Sequence, residues 1–401
     1  MKKSIYLYSL VILLFGYSCS TSLEEKAARI HEKVLTVDSH TDTPWALLKG
    51  GFDLNDRHDY SKDKSRVDFP RMREGGLDAV FMAAFVGQRS RDGEGNRKAK
   101  ELVSNTIDSI NAHMAARTAT SGIALSPKDA YRLEKEGKRA VFICIENGYA
   151  IGNDIANIEE FYLKGARYIT LCHTRNNDIC DSSTDSTVFN GLSPFGVKVV
   201  REMNRVGMMI DVSHMSDSSF YNVLAVTKAP VIASHSCART ICDNPRNLSD
   251  DMLKGLAENG GVIQMCILSD YVKKPEPYPA RDSAFQALKE KYVNFNELSD
   301  EEREKAWEEW ENTDLLFPRE LATVSETVDH IDHMVKVAGI DHVGIGTDFD
   351  GGGGLADCED VSKLGSITLE LVRRGYSEEE IRKIWGGNIM RVMRKVQALK
   401  M

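Results

Sequence analysis

The chain has 401 residues, 42% of them hydrophobic and 28% charged. That is an ordinary globular balance, with length enough for one large α/β barrel. A formal net charge of -9 argues against a nucleic-acid surface, which should be basic.

The N-terminus reads as a targeting segment. Met1-Lys2-Lys3 is positive, Ile5 to Phe15 is almost wholly apolar, and Gly16-Tyr17-Ser18-Cys19 follows. This order predicts a secretory signal over 1–18, too short to span a bilayer comfortably as a mature helix. A cysteine just after the small residue resembles a bacterial lipoprotein signal, with Gly16 where a leucine is usual. Cys19 is then the lipidated first residue and 19–27 a tether. The expected location is outside the cytoplasm, lipid-anchored to a bacterial membrane and facing the periplasm or cell exterior. Seven cysteines remain, without a CxxC pair, and no particular disulfide is predicted.

From Ala28 onward, short apolar runs alternate with amphipathic stretches. The runs Val34–Asp38, Ala79–Val86, Ala140–Ile145, Tyr168–Cys172, Met208–Val212, Val231–Ser234, Gly261–Leu268 and His342–Gly346 are of strand length. Helix-like segments lie between them, among them Lys98–Ala115, Pro194–Val206, Ser249–Asn259 and Val324–Ala338. Eight βα units of this kind predict a (β/α)8 TIM-type barrel occupying 28–401 as a single catalytic domain. The rival is an open doubly wound sheet, but the first strand ends in His-Thr-Asp where a GxGxxG would favour that rival. Two segments exceed the repeat. Asp53–Gly75 is polar and reads as a loop over the barrel top. Residues 271–317, proline-rich and then highly charged, read as a helical insertion after the seventh strand. The tail from Ser377 to Leu399 reads as a final helix packed on the barrel.

Barrel enzymes place their chemistry at the C-terminal ends of the strands. The first strand ends in His40 and Asp42, which point to one face because i and i+2 do so in a strand. The third ends in Glu146, the fourth in His173, the fifth in His214, the sixth in His235 and the eighth in Asp348. Only ten histidines occur, and four of them follow predicted strands directly. The histidines and acids of this set exceed the needs of one zinc and fit two metals bridged by a carboxylate. No GxSxG or HExxH motif competes. His330 and His333 sit on a helix before the eighth strand and read as structural, away from the mouth. His31, His58, His113 and His342 have no partner that raises them above background, and Asp350 reads as a residue of the turn.

As an ordered set, Asp38-Ser39-His40-Thr41-Asp42, Ile145-Glu146-Asn147-Gly148, Leu171-Cys172-His173, Asp211-Val212-Ser213-His214, Ser234-His235-Ser236, Pro245-Arg246-Asn247 and Gly346-Thr347-Asp348-Phe349-Asp350-Gly351 resemble the membrane dipeptidase (renal dipeptidase) family, dinuclear zinc enzymes of the amidohydrolase-like barrel type. The resemblance implies two Zn2+ per chain, with His40 and Asp42 on one, His214 and His235 on the other, and Glu146 bridging both. It implies that His173 stabilises the oxyanion, Arg246 holds the substrate's terminal carboxylate and Asp348 transfers protons. Arg239 and Arg175 are lesser alternatives for substrate contact. The implied reaction is hydrolysis of free dipeptides by metal-bound hydroxide, D-residues on the carboxyl side included. A homodimer is a further family trait. The charged C-terminal helix excludes the family's C-terminal glycolipid anchor, and the N-terminal lipid takes its place. Two other readings stand beside it: an N-acyl amino acid or lactam amidohydrolase on the same site, and a noncatalytic binding lipoprotein.

Overall fold

The computed structural model describes residues 22–400, apart from 294, 296 and 297. The signal and lipidation readings at 1–19 lie outside the described residues. Within the stretch read as a tether, a helix already begins, Leu23–Lys33. Ser22 accepts from the Glu25 amide while Glu25 accepts from that of Ser22, a reciprocal cap that starts the helix there.

Nine strands form one parallel sheet: β1 Val37–Thr41, β2 Ala79–Phe85, β3 Ser121–Ile123, β4 Arg139–Glu146, β5 Ala166–Thr170, β6 Met209–Asp211, β7 Ile232–Ser236, β8 Val262–Met265 and β9 Val343–Ile345. The order around the ring is β1-β2-β4-β5-β6-β7-β8-β9, with β3 paired to the side of β4. The seam between β9 and β1 closes at the mouth, where the Asp348 amide donates to the His40 carbonyl and the Asp42 amide to that of Phe349. Asp38 staples the same seam, accepting from the Thr347 amide at 2.8 Å and its hydroxyl at 2.5 Å. The fold is the eight-stranded barrel that the sequence predicts. The small strand β3 was not foreseen, because Ser-Gly-Ile carries no apolar run.

The eight strands of the ring are almost wholly buried because helices cover their outer faces and side chains fill the interior, whereas β3, at the side, is only partly covered. Phe81 and Phe142 stack at 4.4 Å between ring centroids, inside one such layer. Full burial of side chains of this size stabilises the fold by about 1.5–3 kcal/mol each. The covering helices start on serine caps: Ser126, Ser193, Ser216 and Ser249 each accept from an amide in the first turn.

The segment 53–75 is not loop throughout. Phe69–Glu74 is helical, capped by Asp68, and buried Arg71 donates to Asp68 at 2.6 Å. After β8, the seventh strand of the ring, comes the insertion: helices Pro279–Lys291 and Asp300–Leu316 pair as a hairpin. Phe285 packs on Trp310 at 4.7 Å, and Lys291 reaches Glu309 at 2.6 Å. The tail is one helical path interrupted by a π-turn, Lys383–Gly387. A Cβ on Gly386 would stand 2.5 Å from the Leu35 carbonyl oxygen, so the bare backbone lets the tail press against the entry to β1.

Candidate metal centre

The C-terminal ends of the strands bring His40, Asp42, Glu146, His173, His214, His235 and Asp348 to one place. All but the half-buried His173 are buried. Glu146 lies at the centre with its two oxygens divided. Oε2 faces His40 Nε2 at 3.5 Å, and Asp42 Oδ2 lies 3.6 Å from that same nitrogen. Oε1 faces His214 Nε2 at 3.1 Å and His235 Nε2 at 3.4 Å. One carboxylate thus joins an imidazole–carboxylate half to an imidazole–imidazole half. Asp348 Oδ1 lies 4.0 Å from His40 Nε2. His173 stands at the rim with its Nε2 3.9 Å from Glu146 Oε1, its ring held edge-on by Phe85 at 4.8 Å.

The backbone is forced to make this arrangement. His214 and Asp348 both sit at positive φ, 69° and 62°, a region that costs a non-glycine residue about 1–3 kcal/mol. Asp350, also at positive φ, steadies the second turn by accepting from the Thr43 hydroxyl at 2.7 Å and the Arg66 amide at 2.6 Å. Gly351 lies directly under the acids. A Cβ there would meet Asp42 Oδ2 at 2.2 Å and Asp348 Oδ1 at 2.4 Å.

The groups of the cluster are strongly coupled: against burial, Tyr168, Glu146 and Asp42 raise His40 well above the ordinary imidazole range. Burial, with Arg246 and neighbouring rings, holds His214 and His235 well below the ordinary imidazole range, so both are neutral. Their Nε2 atoms are nevertheless only 2.9 Å apart. Burial opposes ionising Glu146, yet His40, His173, His214 and His235 hold its carboxyl well below the usual range. Burial, then Cys266, Asp42 and Glu146, push Asp348 well up, against the pull of His40. His40 Nε2 and Asp42 Oδ1 are buried without a hydrogen-bond partner. Lone pairs converging on one carboxylate, with orphaned donors beside it, fit divalent metal. Three triplets converge within ligating distance of one another: His40-Asp42-Glu146, Glu146-His214-His235 and His40-His235-Asp348. Their nitrogen and oxygen donors suit zinc.

Arg246 is buried beside this cluster. Its Nη1 donates to the Ser236 hydroxyl at 2.7 Å and its Nη2 to the His235 carbonyl at 2.8 Å, and the Tyr271 ring lies 5.5 Å from Cζ. Its Nε has no partner, and no carboxylate pairs with it among the described residues. The lesser basic candidates are engaged elsewhere. Arg239 makes two bonds of 2.7 Å to Asp217, and Arg175 faces Asp185 from an exposed position.

The residues set aside in the sequence are where they were expected. His330 is buried outside the ring, accepting from the Ala238 amide at 3.1 Å and donating to the Val272 carbonyl at 2.7 Å. His333 pairs with Asp250 at 2.7 Å. What sequence reasoning missed is the layer behind the cluster: Tyr168 against His40, and Asp211 behind Ser234 and His235. Their only signal was a polar group inside otherwise apolar runs. All seven cysteines outside the N-terminal segment are buried and free.

A barrel of parallel strands with a carboxylate–imidazole cluster at its C-terminal mouth has the architecture of metal-dependent hydrolases. The comparisons narrow the class. Residues 24–401 match the family model described as membrane dipeptidase (peptidase family M19). Dipeptidase 3 of Rattus norvegicus is 31% identical over 389 residues, covering 94% of this chain and 68% of that protein. Dipeptidase verJ of Clonostachys rogersoniana is 31% identical over 389 residues, covering 94% and 88%. Among solved structures, the probable dipeptidase PvdM from Pseudomonas aeruginosa superposes with a TM-score of 0.82 at 29% identity, covering 94% of this chain and 99% of that one. A metallo peptidase from Rhodobacter sphaeroides, liganded with a phosphinate mimic of L-Ala-D-Ala, shares the fold at a TM-score of 0.72 and 20% identity, covering 90% and 99%. The chain belongs to the membrane dipeptidase family, peptidase family M19. It is a hydrolase of the metallo-dipeptidase type.

Proposed function

We propose that the chain hydrolyses free dipeptides on two zinc ions, held by His40, Asp42 and Glu146 on one side and by Glu146, His214 and His235 on the other. The observation that carries this reading is the divided carboxylate of Glu146, with a separate ligand set on each oxygen. When bound, the two ions supply an activated water and polarise the carbonyl to be attacked.

The chain's own groups do the rest. Arg246, buried and without a carboxylate partner, offers its Nε and ring-backed guanidinium to the free carboxylate of the substrate. That contact selects substrates ending one residue after the scissile bond. His173, half-buried at the rim and aimed across Glu146, donates to the oxygen that gains charge. Asp348 lies where the attacking water and departing amine share a proton. Its raised affinity for protons suits it to take that proton and hand it on. Phe85 holds the His173 ring edge-on at the rim. Substrates with a D-residue on the carboxyl side fit the same reading, since Arg246 reads the carboxylate and not the side chain. Catalysis occupies 28–401 as one domain, with 271–317 as an insertion bordering the mouth. Export by 1–18, lipidation at Cys19 and membrane attachment complete the reading, and the native state is a homodimer.

The test is metal content together with hydrolysis of L-Ala-L-Ala, L-Ala-D-Ala, Gly-D-Ala and an N-acetylated dipeptide. Two zincs per chain, cleavage of the free dipeptides, and loss of both metal and activity in Glu146→Ala are expected. Two zincs with cleavage of the N-acetylated compound alone would overturn the dipeptide assignment.

A further inference from the structure

Behind the metal ligands lies a second set of hydrogen bonds, and its donors and acceptors can be assigned. The Tyr168 hydroxyl is 2.8 Å from the Ser39 carbonyl oxygen, which can only accept. The single phenolic proton therefore goes to Ser39. The contact between Tyr168 and His40 Nδ1, at 2.7 Å, must then carry a proton from the ring nitrogen. That puts a proton on His40 Nδ1 and leaves Nε2, which faces Glu146 and Asp42, as the nitrogen through which the ring would ligate a metal.

The other half of the cluster is held differently. Asp211 is buried and takes four donors: the Thr170 hydroxyl at 2.6 Å, the Ser213 amide at 3.0 Å, the Ser234 amide at 2.9 Å and the Ser234 hydroxyl at 2.6 Å. The Ser234 proton is thereby committed to Asp211. His235 Nδ1, 2.8 Å from the same hydroxyl, must donate to it. His235 likewise carries a proton on Nδ1, but held through a hydroxyl backed by a carboxylate. His31 gives the matched contrast. Its ring also contacts a buried hydroxyl, Thr368 at 2.6 Å, and its other nitrogen meets the Gly75 carbonyl at 2.8 Å where the metal-site rings face carboxylates.

We infer that Tyr168 orients His40, and that Ser234 with Asp211 orients His235, as separate positioning residues for the two metal sites. Neither touches the reacting atoms. Each holds one imidazole in the tautomer and direction that ligation needs. This rests on the two-metal reading above. The two orienting groups lie on different strands and each meets a different imidazole, so the variants separate their effects even though the His40 and His235 rings stack at 3.9 Å and Ser39 donates to the Ser234 carbonyl.

The experiment is titration of the metal-free mature chain with Co2+, followed by its visible absorption. Zn2+ competition against a chromogenic chelator then supplies both binding constants. Asp42→Ala identifies which constant belongs to the His40 half. Tyr168→Phe is expected to weaken that site by about 10- to 100-fold and to leave the other within about threefold. Ser234→Ala is expected to do the reverse, and Ser234→Thr, which keeps the hydroxyl, to restore binding. Thr368→Val serves as the control: it removes an equivalent buried bond to a ring and should leave both constants unchanged. Ring 15N shifts of the loaded wild type offer a check that needs no variant, with Nδ1 protonated in both His40 and His235. Variants that weaken both sites alike or neither, or a protonated Nε2 on either ring, overturn the orienting roles. Uptake of fewer than two ions by the wild type overturns the two-metal reading itself, whatever the variants do.

Discussion

Two sets of buried histidines sit in this barrel, and they differ in what their ring nitrogens meet. His31 and His330, outside the ring, have both nitrogens answered by carbonyls, amides or hydroxyls. At the mouth, His40, His214 and His235 are answered on the Nδ1 side at most. Their Nε2 atoms face a carboxylate or one another. Burial alone does not mark a functional histidine. An unanswered nitrogen aimed at an acid does, because leaving it so costs free energy that only a ligand can return.

The largest effect should come from exchanging residues across this divide. His214→Ala should lose one metal and all measurable dipeptidase activity, while the thermal stability of the metal-free protein changes little. His330→Ala should keep both metals. It should lower stability by about 3 kcal/mol, since the Ala238 amide and the Val272 carbonyl lose their partner. Metal analysis and chemical denaturation check the pair. If His330→Ala empties the site, the comparison breaks.

Gly351→Ala probes how tightly the mouth is packed. Its Cβ would displace the Asp42 and Asp348 carboxylates, and kcat/KM should fall by about 100-fold with the fold intact. Arg246→Met removes the guanidinium while keeping much of its bulk. KM for dipeptides should rise by about 10- to 100-fold with metal content unchanged, the size of a lost charged hydrogen bond. An N-acylated amide without a free carboxylate should not register the change.

The last effect is on the pH dependence of stability and leaves the chemistry untouched. Burial raises the Asp350 carboxyl to about 6. A carboxyl raised in the folded state stabilises it below the unfolded value, and this contribution is lost as pH rises through about 6. Asp350→Asn should flatten that loss. Between about pH 4 and about pH 7.5 the variant should gain on the wild type by on the order of 3 kcal/mol, read from denaturation of the metal-free protein.

Most of the ring was legible in the chain because its strands are buried on both faces, leaving long apolar runs that helices interrupt. The mouth was legible for a related reason: an apolar run such as Val141 to Ile145 ends abruptly in Glu146, and the change of chemistry marks the strand end. Tyr168 and Asp211 were not legible as partners. Tyr168 reaches from β5 to His40 on β1, which are not neighbours in the ring, and no local pattern encodes that contact. Nor did the alternation show the helix beginning at Leu23, which a reciprocal cap starts, or the π-turn at Lys383–Gly387.

The hairpin Pro279–Lys291 and Asp300–Leu316 hangs between the last two strands of the ring. It is rooted near Tyr271, whose ring lies beside Arg246. Its two helices meet where Phe285 packs on Trp310, and Phe295 in the connection between them packs on Trp307. Such an appendage can be lengthened, trimmed or exchanged without reopening the barrel. It leaves the barrel from the C-terminal end of β8, the same end at which the carboxylate–imidazole cluster lies.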